Sequence, residues 1–124
     1  MAAVMPTETE DGVHEAVLRT LRLQLRGAII QHGRNEGNRR GKAGVIDGQR
    51  GKRLGVLAGY PDLVIHYRGM TFFVEVKTKK GTMSKAQIAV KLSLEAQGFR
   101  YFICRSSTQA NDAATEIRLI CAVA

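Results

Sequence analysis

The sequence is poor in cysteine, in acidic residues and in long apolar runs. Its two cysteines, Cys104 and Cys121, have apolar neighbours and no metal-ligand spacing to a histidine, which favours buried free thiols over a zinc site. No apolar run approaches the about 20 residues of a membrane span, so no membrane partner is expected. The N-terminal stretch of residues 1–10 is short and acidic and does not resemble a secretory signal, which predicts an intracellular, cytoplasmic protein.

Positive charge is what the chain has in excess. Nineteen Lys and Arg face 11 Asp and Glu, which gives a net charge of +8. This balance favours a partner rich in phosphate, and nucleic acid is the default expectation. The 124 residues suffice for a single core, so we predict one domain over residues 1–124, with residues 1–7 disordered.

A β-hairpin is predicted in the middle of the chain. Residues 70–77 are rich in aromatic and β-branched side chains and predict a strand, and residues 62–67 predict another. The simplest connection is a tight two-residue turn at residues 68–69. Counting back from that turn pairs Asp62 with Glu75. The register therefore places two carboxylates opposite each other.

Opposed carboxylates point to a metal site. At about 5 Å they repel each other unless a positive charge lies between them, and Mg²⁺ prefers carboxylate, carbonyl and water oxygens. We predict that Asp62, Glu75 and the main-chain carbonyl of Val76 bind Mg²⁺, for which Mn²⁺ can substitute. Lys77 shares the face of Glu75 and is expected to orient a water or offset phosphate charge. The alternative is a solvated strand face with alternating charges.

Two glutamates of a predicted first helix, from about residue 7 or 9 to residue 25, compete for a place in this site. Glu10 shares the inward face with Val17, whereas Glu15 lies on the opposite face beside Arg19. We therefore expect Glu10 to complete the site and Glu15 to pair with Arg19. Simple interaction of Glu10 with the helix dipole is the alternative role.

The remaining elements define the fold class. Ser84 and Gln87 form a capping box at the start of a further helix, and this is the structural alternative to Gln87 facing the metal site. Strands are expected at residues 28–32 and 99–104, and a last helix at residues 108–121. The resulting order predicts an α/β fold in which helices flank a mixed sheet.

Residues 33–55 are rich in glycine and basic side chains and contribute almost nothing to a core. We expect this basic segment to be partly mobile and to follow DNA phosphates, although a solvated loop with part of a helix near residues 49–54 would have the same composition. A basic turn and the helix after it add lysines. The predicted nucleic-acid contacts from charge are Arg39, Arg40, Arg50, Lys52, Arg53, Lys79, Lys80 and Lys85.

The order of these motifs resembles the VRR-NUC domain, the virus-type replication-repair nuclease branch of the PD-(D/E)xK superfamily. The resemblance is carried by GVLAGYPDL at residues 55–63, VEVK at residues 74–77 and GTMSKAQ at residues 81–87. It implies a small stand-alone member with a restriction-endonuclease-like core. The roles implied are metal ligands for Asp62 and Glu75, the catalytic lysine for Lys77, the glutamine after the core for Gln87 and the helix carboxylate for Glu10.

Two positions depart from the pattern of that family. Asn35-Glu-Gly resembles its Pro-Asn-Gly element and adds Asn35 to the expected DNA contacts, but Arg34 stands where the proline would be. His14 occupies a position that is often glutamine. The local turn at Asn35 and the function of His14 therefore stay open.

The resemblance implies an Mg²⁺-dependent endonuclease that hydrolyses DNA phosphodiester bonds, in DNA repair in a bacterial or phage-infected cell. Small members resemble Holliday junction resolvases, and paired cuts in a four-way junction need two active sites, so a homodimer is expected. The open alternatives are cleavage of flaps, ends or plain duplex, and a non-catalytic basic DNA-binding module on the same fold.

Overall fold

The computed structural model describes residues 9–33 and 49–124. Within them the helices are α1 (Glu10–Gln24), α2 (Lys85–Ala96) and α3 (Ser107–Val123), and the strands are β1 (Ile29–His32), β2 (Leu63–Tyr67), β3 (Met70–Val76) and β4 (Arg100–Cys104). Residues 49–53 are also helical, as the alternative view of the basic segment predicted. Residues 1–7 and the predicted DNA contacts Asn35, Arg39 and Arg40 lie outside the described residues.

The strands form a four-stranded sheet in the order β1-β2-β3-β4. β1 and β3 are antiparallel to β2, whereas β4 is parallel to β3. A parallel pair needs a crossover connection, and α2 supplies it between β3 and β4. The predicted α/β fold with a mixed sheet flanked by helices is confirmed.

The β2–β3 hairpin has the predicted register, with pairs running from Leu63 and Val74 to Tyr67 and Met70. Its turn residues, Arg68 and Gly69, have φ of 48° and 79°. Positive φ at both positions is what a two-residue type I′ turn requires, and this turn matches the twist of the strands. The turn chemistry at residues 68–69 therefore sets which residues face each other farther along the hairpin.

One face of the sheet forms the core with α1 and α3. Phe72 and Val74 of β3 are fully buried there, against residues such as Val17 and Leu21 of α1 and Ile117 of α3. The apolar spacing of α1 predicted this face. The helix is capped by Thr9, whose hydroxyl accepts a hydrogen bond from the Gly12 amide at 3.0 Å.

The opposite face of β3 carries Phe73 and Glu75, because side chains alternate along a strand. Both cysteines are free, as predicted, but only Cys104 is buried and Cys121 is half-buried. Within residues 9–33 and 49–124, no helix combines the length and apolar character that crossing a bilayer requires.

Candidate active site

Asp62 and Glu75 are held against each other where β2 begins and β3 ends. The Asp62 Oδ2 atom accepts a hydrogen bond from the Val76 amide at 2.8 Å, and the Glu75 Oε1 atom accepts one from the Asp62 amide at 3.2 Å. Each carboxylate is thus bound by the backbone of the other strand. Pro61, which is fully buried, precedes Asp62 and limits the backbone at this point. The structure therefore brings together the two acids that the hairpin register placed opposite each other.

Glu75 is the one buried charged side chain among the described residues, with 1% exposure. Burial raises its pKa to about 8, and the hydrogen bond and charge of Asp62 act in the same direction, while the charge of Lys77 opposes them. Two acids this close cannot both be ionised without a compensating cation. The position of Glu75 therefore favours its protonated form, whereas a cation between the two acids would favour the ionised form.

Gln87 connects this carboxylate to Lys77. Its Nε2 atom donates to Glu75 Oε2 at 2.7 Å, and its Oε1 atom accepts from Lys77 Nζ at 2.8 Å. The same Oε1 atom accepts from the Ser84 amide at 2.8 Å, which completes the capping box of α2. The sequence left two alternatives for Gln87, a helix cap or a residue that faces the site. The Gln87 side chain does both at once. The start of α2 therefore fixes the position of Gln87.

Lys77 lies on the Glu75 face of the strand, as alternation predicted, and its Nζ atom is 3.9 Å from Glu75 Oε2. Its backbone amide donates to the Cys104 carbonyl at 3.1 Å, which extends the parallel pairing of β3 and β4 by one residue. The Lys77 side chain is only 14% exposed, so its Coulomb interactions with groups in the site are weakly screened.

Arg105 is a structural contributor that the sequence did not reveal. It follows β4, and its Nη1 atom donates to the carbonyls of Thr78 at 2.7 Å and Gly81 at 2.6 Å. These bonds hold the turn that presents the exposed Lys79 and Lys80 next to the site. A single arginine after a strand carries no pattern, and its partners are 24 to 27 residues away in the chain, so no local signal identified it.

The carboxylate pair opens into a cleft of about 170 Å³. Glu10 lies on its α1 wall, whereas Glu15 lines a different surface with Arg19 and Arg22. The structure thus separates the two glutamates in the way the helix geometry predicted. The residues lining the cleft are Glu10, Asp11, His14, His32, Asp62, Glu75, Val76, Lys77 and Gln87.

Asp11 and His32 are cleft residues that the sequence reasoning missed. The rings of His14 and His32 are 4.6 Å apart between centroids and tilted by 60°. Burial and the charge of His32 lower the pKa of His14, and the neighbouring acids Asp62 and Asp11 act against this. His32 pairs with Leu63, the residue after Asp62, so a prediction that β1 pairs with β2 would have placed it in the cleft.

The donor set of this cleft fits a hard divalent cation. In the described parts of the chain, no three His, Cys, Asp or Glu side chains form a ready-made metal group. Mg²⁺ is often bound by only one or two carboxylates, with water and substrate phosphate completing its coordination. Asp62 and buried Glu75 supply such a pair, and a bound cation would replace the proton that their proximity requires.

Of the predicted DNA contacts within the described ranges, all have exposed side chains. Arg50, Lys52 and Arg53 belong to the helical stretch 49–53 or end it, and Lys85 begins α2. Together with Lys79 and Lys80 they add exposed positive charge to the chain segments that precede and follow the hairpin of Asp62 and Glu75. Exposed cations attract the phosphates of a polyanion, which acids alone would repel.

Two solved structures share this fold. One is a "VRR_NUC domain" with a TM-score of 0.58 and 20% identity, covering 85% of this chain and 94% of the other. The second is a "VRR_NUC domain protein" with a TM-score of 0.64 and 19% identity, covering 90% of this chain and 89% of the other. No family model matches the sequence, and no curated protein matches it significantly. The chain therefore has the VRR-NUC fold, and the resemblance seen in its motifs is confirmed at the level of the fold.

Proposed function

We propose that this chain is a divalent-metal-dependent endonuclease that hydrolyses phosphodiester bonds in DNA, with branched DNA such as four-way junctions as its preferred substrate. The observation that carries the proposal is the buried Glu75 held against Asp62, with Gln87 joining it to Lys77. A buried carboxyl beside a second acid costs stability unless it binds something. A solvated strand face with alternating charges would not bury Glu75.

Asp62 and Glu75, with the main-chain carbonyl of Val76, are the groups that would hold Mg²⁺ or Mn²⁺. When bound, the ion supplies positive charge against the phosphate and lowers the pKa of a coordinated water. The chain contributes fixed ligand positions, because backbone amides hold both carboxylates. The Asp62 amide donates to the Glu75 carboxylate, and the Val76 amide donates to the Asp62 carboxylate. Preorganised ligands avoid the cost of rearrangement when substrate arrives.

Lys77 would stabilise the negative charge that develops on the phosphate as the bond breaks. Its amine is held 2.8 Å from Gln87 Oε1, so it points into the cleft before substrate binds. Electrostatic groups aimed at developing charge are commonly the largest single contribution to such catalysis. Gln87 positions Lys77 and Glu75 together, and Glu10 on the α1 wall adds a further carboxylate near the site.

A four-way junction is the proposed substrate because the small stand-alone members of the VRR-NUC family, which this chain resembles, are similar to Holliday junction resolvases. Paired cuts across such a junction need two active sites, so the proposal includes a homodimer. Flaps, DNA ends and plain duplex are the alternative substrates. Light scattering of the purified chain measures its oligomeric state directly.

The decisive experiment incubates the purified chain with labelled four-way junction, flap, single-stranded and duplex DNA, in Mg²⁺, Mn²⁺ or chelator. We expect cleavage only with metal, fastest on the junction. Asp62→Asn should abolish cleavage. Glu15→Gln is the matched control, because Glu15 lies on α1 but lines a surface away from the cleft, and it should cut like the unchanged chain.

Metal-dependent cleavage that survives Asp62→Asn would overturn the site. DNA binding that weakens with salt, without cleavage of any substrate, would instead identify a non-catalytic DNA-binding module. A thermal shift experiment with Mg²⁺ adds an independent reading. Mg²⁺ should raise the melting temperature of the unchanged chain and of Glu15→Gln, and raise it much less for Asp62→Asn.

A further inference from the structure

A short apolar loop, residues 54–60, lies directly before the buried Pro61 and the site residue Asp62. Its large side chains are turned to solvent, with exposures of 69% for Leu54, 58% for Leu57 and 40% for Tyr60. Together with Gly55 and Val56, Leu57 and Tyr60 line an open apolar depression of about 250 Å³. Single exposed apolar residues are ordinary, but a contiguous group beside a candidate active site indicates an interaction surface.

The apolar loop is held in place rather than free. The Val56 amide donates to the Gly51 carbonyl at 2.8 Å, which ties the loop to the helical stretch 49–53. At its other end Gly59 has φ of +82°, and a Cβ atom there would lie 2.5 Å from the backbone of Ala86 in α2. Only glycine permits this approach. The exposed side chains are therefore presented by a loop fixed on both sides.

Tyr60 lies on the active-site face of the sheet. Its ring meets Phe73 edge to face at 5.9 Å, and Phe73 meets Phe99 in the same way at 5.4 Å. Phe73 and Glu75 are two residues apart on one face of β3, which is a separation of about 7 Å. A group resting on Tyr60 would therefore lie on the same face of the sheet as a phosphate held through a metal ion at Asp62 and Glu75.

We propose that the apolar loop is a stacking platform for an unpaired nucleobase of the DNA substrate, with Leu57 and Tyr60 as the contact residues. Bases have apolar faces that stack on aromatic and aliphatic side chains, and apolar wedges commonly enter opened base steps. The exposed Arg50, Lys52 and Arg53 next to the loop supply charge for the adjoining phosphates. This inference rests on the proposed function and deepens it, since it selects substrates with unpaired bases over plain duplex.

Charge distinguishes a base from a second copy of this chain as the occupant. The neighbours of the apolar loop in the helical stretch are basic, and a second copy that docked through its own apolar loop would bring the same basic residues to them. Like charges across a contact oppose association, whereas DNA supplies the opposite charge. The apolar side chains of the loop then bind the base, and the basic side chains of the helical stretch bind the adjoining phosphates.

The test measures binding in chelator, so it does not depend on cleavage. A flap carries 2-aminopurine in its single-stranded arm, a four-way junction carries it in a base pair at the branch point, where pairs can open, and a fully paired duplex of matched length serves as reference. We expect the unchanged chain to quench the fluorescence of the unpaired base as it stacks. Tyr60→Ala and Leu57→Ser should lose the quenching and bind the flap and junction about tenfold more weakly, with duplex binding little changed.

Two variants serve as matched controls. Tyr60→Phe keeps the ring and should quench like the unchanged chain. Leu119→Ser removes a leucine of α3 with 62% exposure, similar to Leu57, on the helix that packs against the other face of the sheet, and it should bind normally. Because Leu57 is exposed, its replacement leaves the core intact even if Tyr60→Ala affects folding.

Unaltered quenching and flap affinity in both Tyr60→Ala and Leu57→Ser would overturn the inference. Conversion of a dimer to a monomer by these variants, measured by light scattering, would also overturn it, because the apolar loop would then be a contact between copies. Absence of cleavage in Mg²⁺ alongside intact quenching would reject the proposed nuclease activity while leaving the stacking platform supported.

Discussion

The two faces of β3 differ in almost every physical respect, although their residues alternate along one short strand. Phe72 and Val74 are fully buried in an apolar core between the sheet, α1 and α3. Phe73 and Glu75 face α2 and the apolar loop, and Glu75 is buried as a charged group that needs partners. The first face stabilises the fold, whereas the second is expected to reduce stability in order to hold a reactive arrangement.

This difference implies that stability and activity can be changed separately by neighbouring residues. A substitution on the core face should unfold the chain without altering the chemistry of the molecules that remain folded. A substitution around Glu75 should reduce cleavage by the folded chain while changing its stability little. The predictions below test this separation, beginning with the largest expected effect.

Phe72→Ala should lower the free energy of unfolding by about 3–5 kcal/mol, because it removes a fully buried ring and leaves a cavity. Urea denaturation followed by circular dichroism measures this loss. Cleavage per folded molecule, measured at low temperature, should stay close to that of the unchanged chain. A large loss of cleavage in protein that is still folded would show that the core face also shapes the site.

Lys77→Met should reduce the cleavage rate by about a hundredfold to a thousandfold, since it removes the charge aimed at the phosphate but keeps a long apolar stem. Its stability should change by less than about 1 kcal/mol, because the lost contacts are the bond to Gln87 and a 3.9 Å ion pair with Glu75. Single-turnover kinetics and urea denaturation measure the two quantities. A Lys77→Met chain that cuts at the normal rate would remove Lys77 from the mechanism.

Gln87→Ala should slow cleavage by about ten- to a hundredfold, because Lys77 and Glu75 lose their shared partner. It should also cost about 1 kcal/mol of stability through loss of the capping box. Ser84→Ala separates the two effects, since it removes the cap acceptor for the Gln87 amide and leaves the Gln87 side chain in place. Equal loss of activity in both variants would mean that Gln87 acts only through the helix start.

Glu75→Gln should change the pH dependence of stability in chelator. The pKa of Glu75 is about 8 in the folded chain and 4.5 in the reference state, so protonation favours folding. That stabilisation is complete below the unfolded pKa and is lost as pH rises through the folded pKa. Relative to the unchanged chain, Glu75→Gln should therefore gain about 1 kcal/mol or more between pH 5 and pH 8.5.

Urea denaturation at the two pH values checks this expectation, with Glu15→Gln as the control because Glu15 is exposed on α1. The Glu15→Gln chain should follow the unchanged chain at both values. A stability difference for Glu75→Gln that is the same at pH 5 and pH 8.5 would contradict the raised pKa.

Glu10→Gln should have the smallest effect, a reduction in cleavage of about tenfold or less, since Glu10 is exposed on the cleft wall. The same change at Glu15 should have none. Cleavage rates at several Mg²⁺ concentrations measure both. If Glu15→Gln were the more damaging of the two, the assignment of the helix carboxylate would be reversed.

Local rules were sufficient for much of the fold and part of the site. The two-residue length of the turn at residues 68–69 predicted the β2–β3 register, which in turn placed Asp62 opposite Glu75. Helical spacing likewise separated Glu10 from Glu15. In each case the partners are close in the chain or lie at a fixed period, so a short stretch contains the information.

Contacts that depend on the pairing of β1 with β2 or of β4 with β3 were not predicted. His32 reaches the cleft because β1 pairs with β2, and Arg105 holds the turn at Thr78 because β4 runs parallel to β3. Neither residue has a local pattern that distinguishes it from an ordinary surface side chain. The exposed positions of Leu57 and Tyr60 depend in the same way on the close approach of Gly59 to α2.

The amino-acid sequence by itself determined the hairpin, the alternation that puts Glu75 and Lys77 on one face, and the excess of positive charge. Turn geometry, strand period and net charge are local or additive properties, so they can be evaluated without knowing the fold. Only the tertiary structure decided that Glu75 is buried, that Gln87 joins it to Lys77, and that an apolar loop lies beside them. Burial and cross-chain hydrogen bonds depend on which surfaces meet, and that is a property of the packed chain.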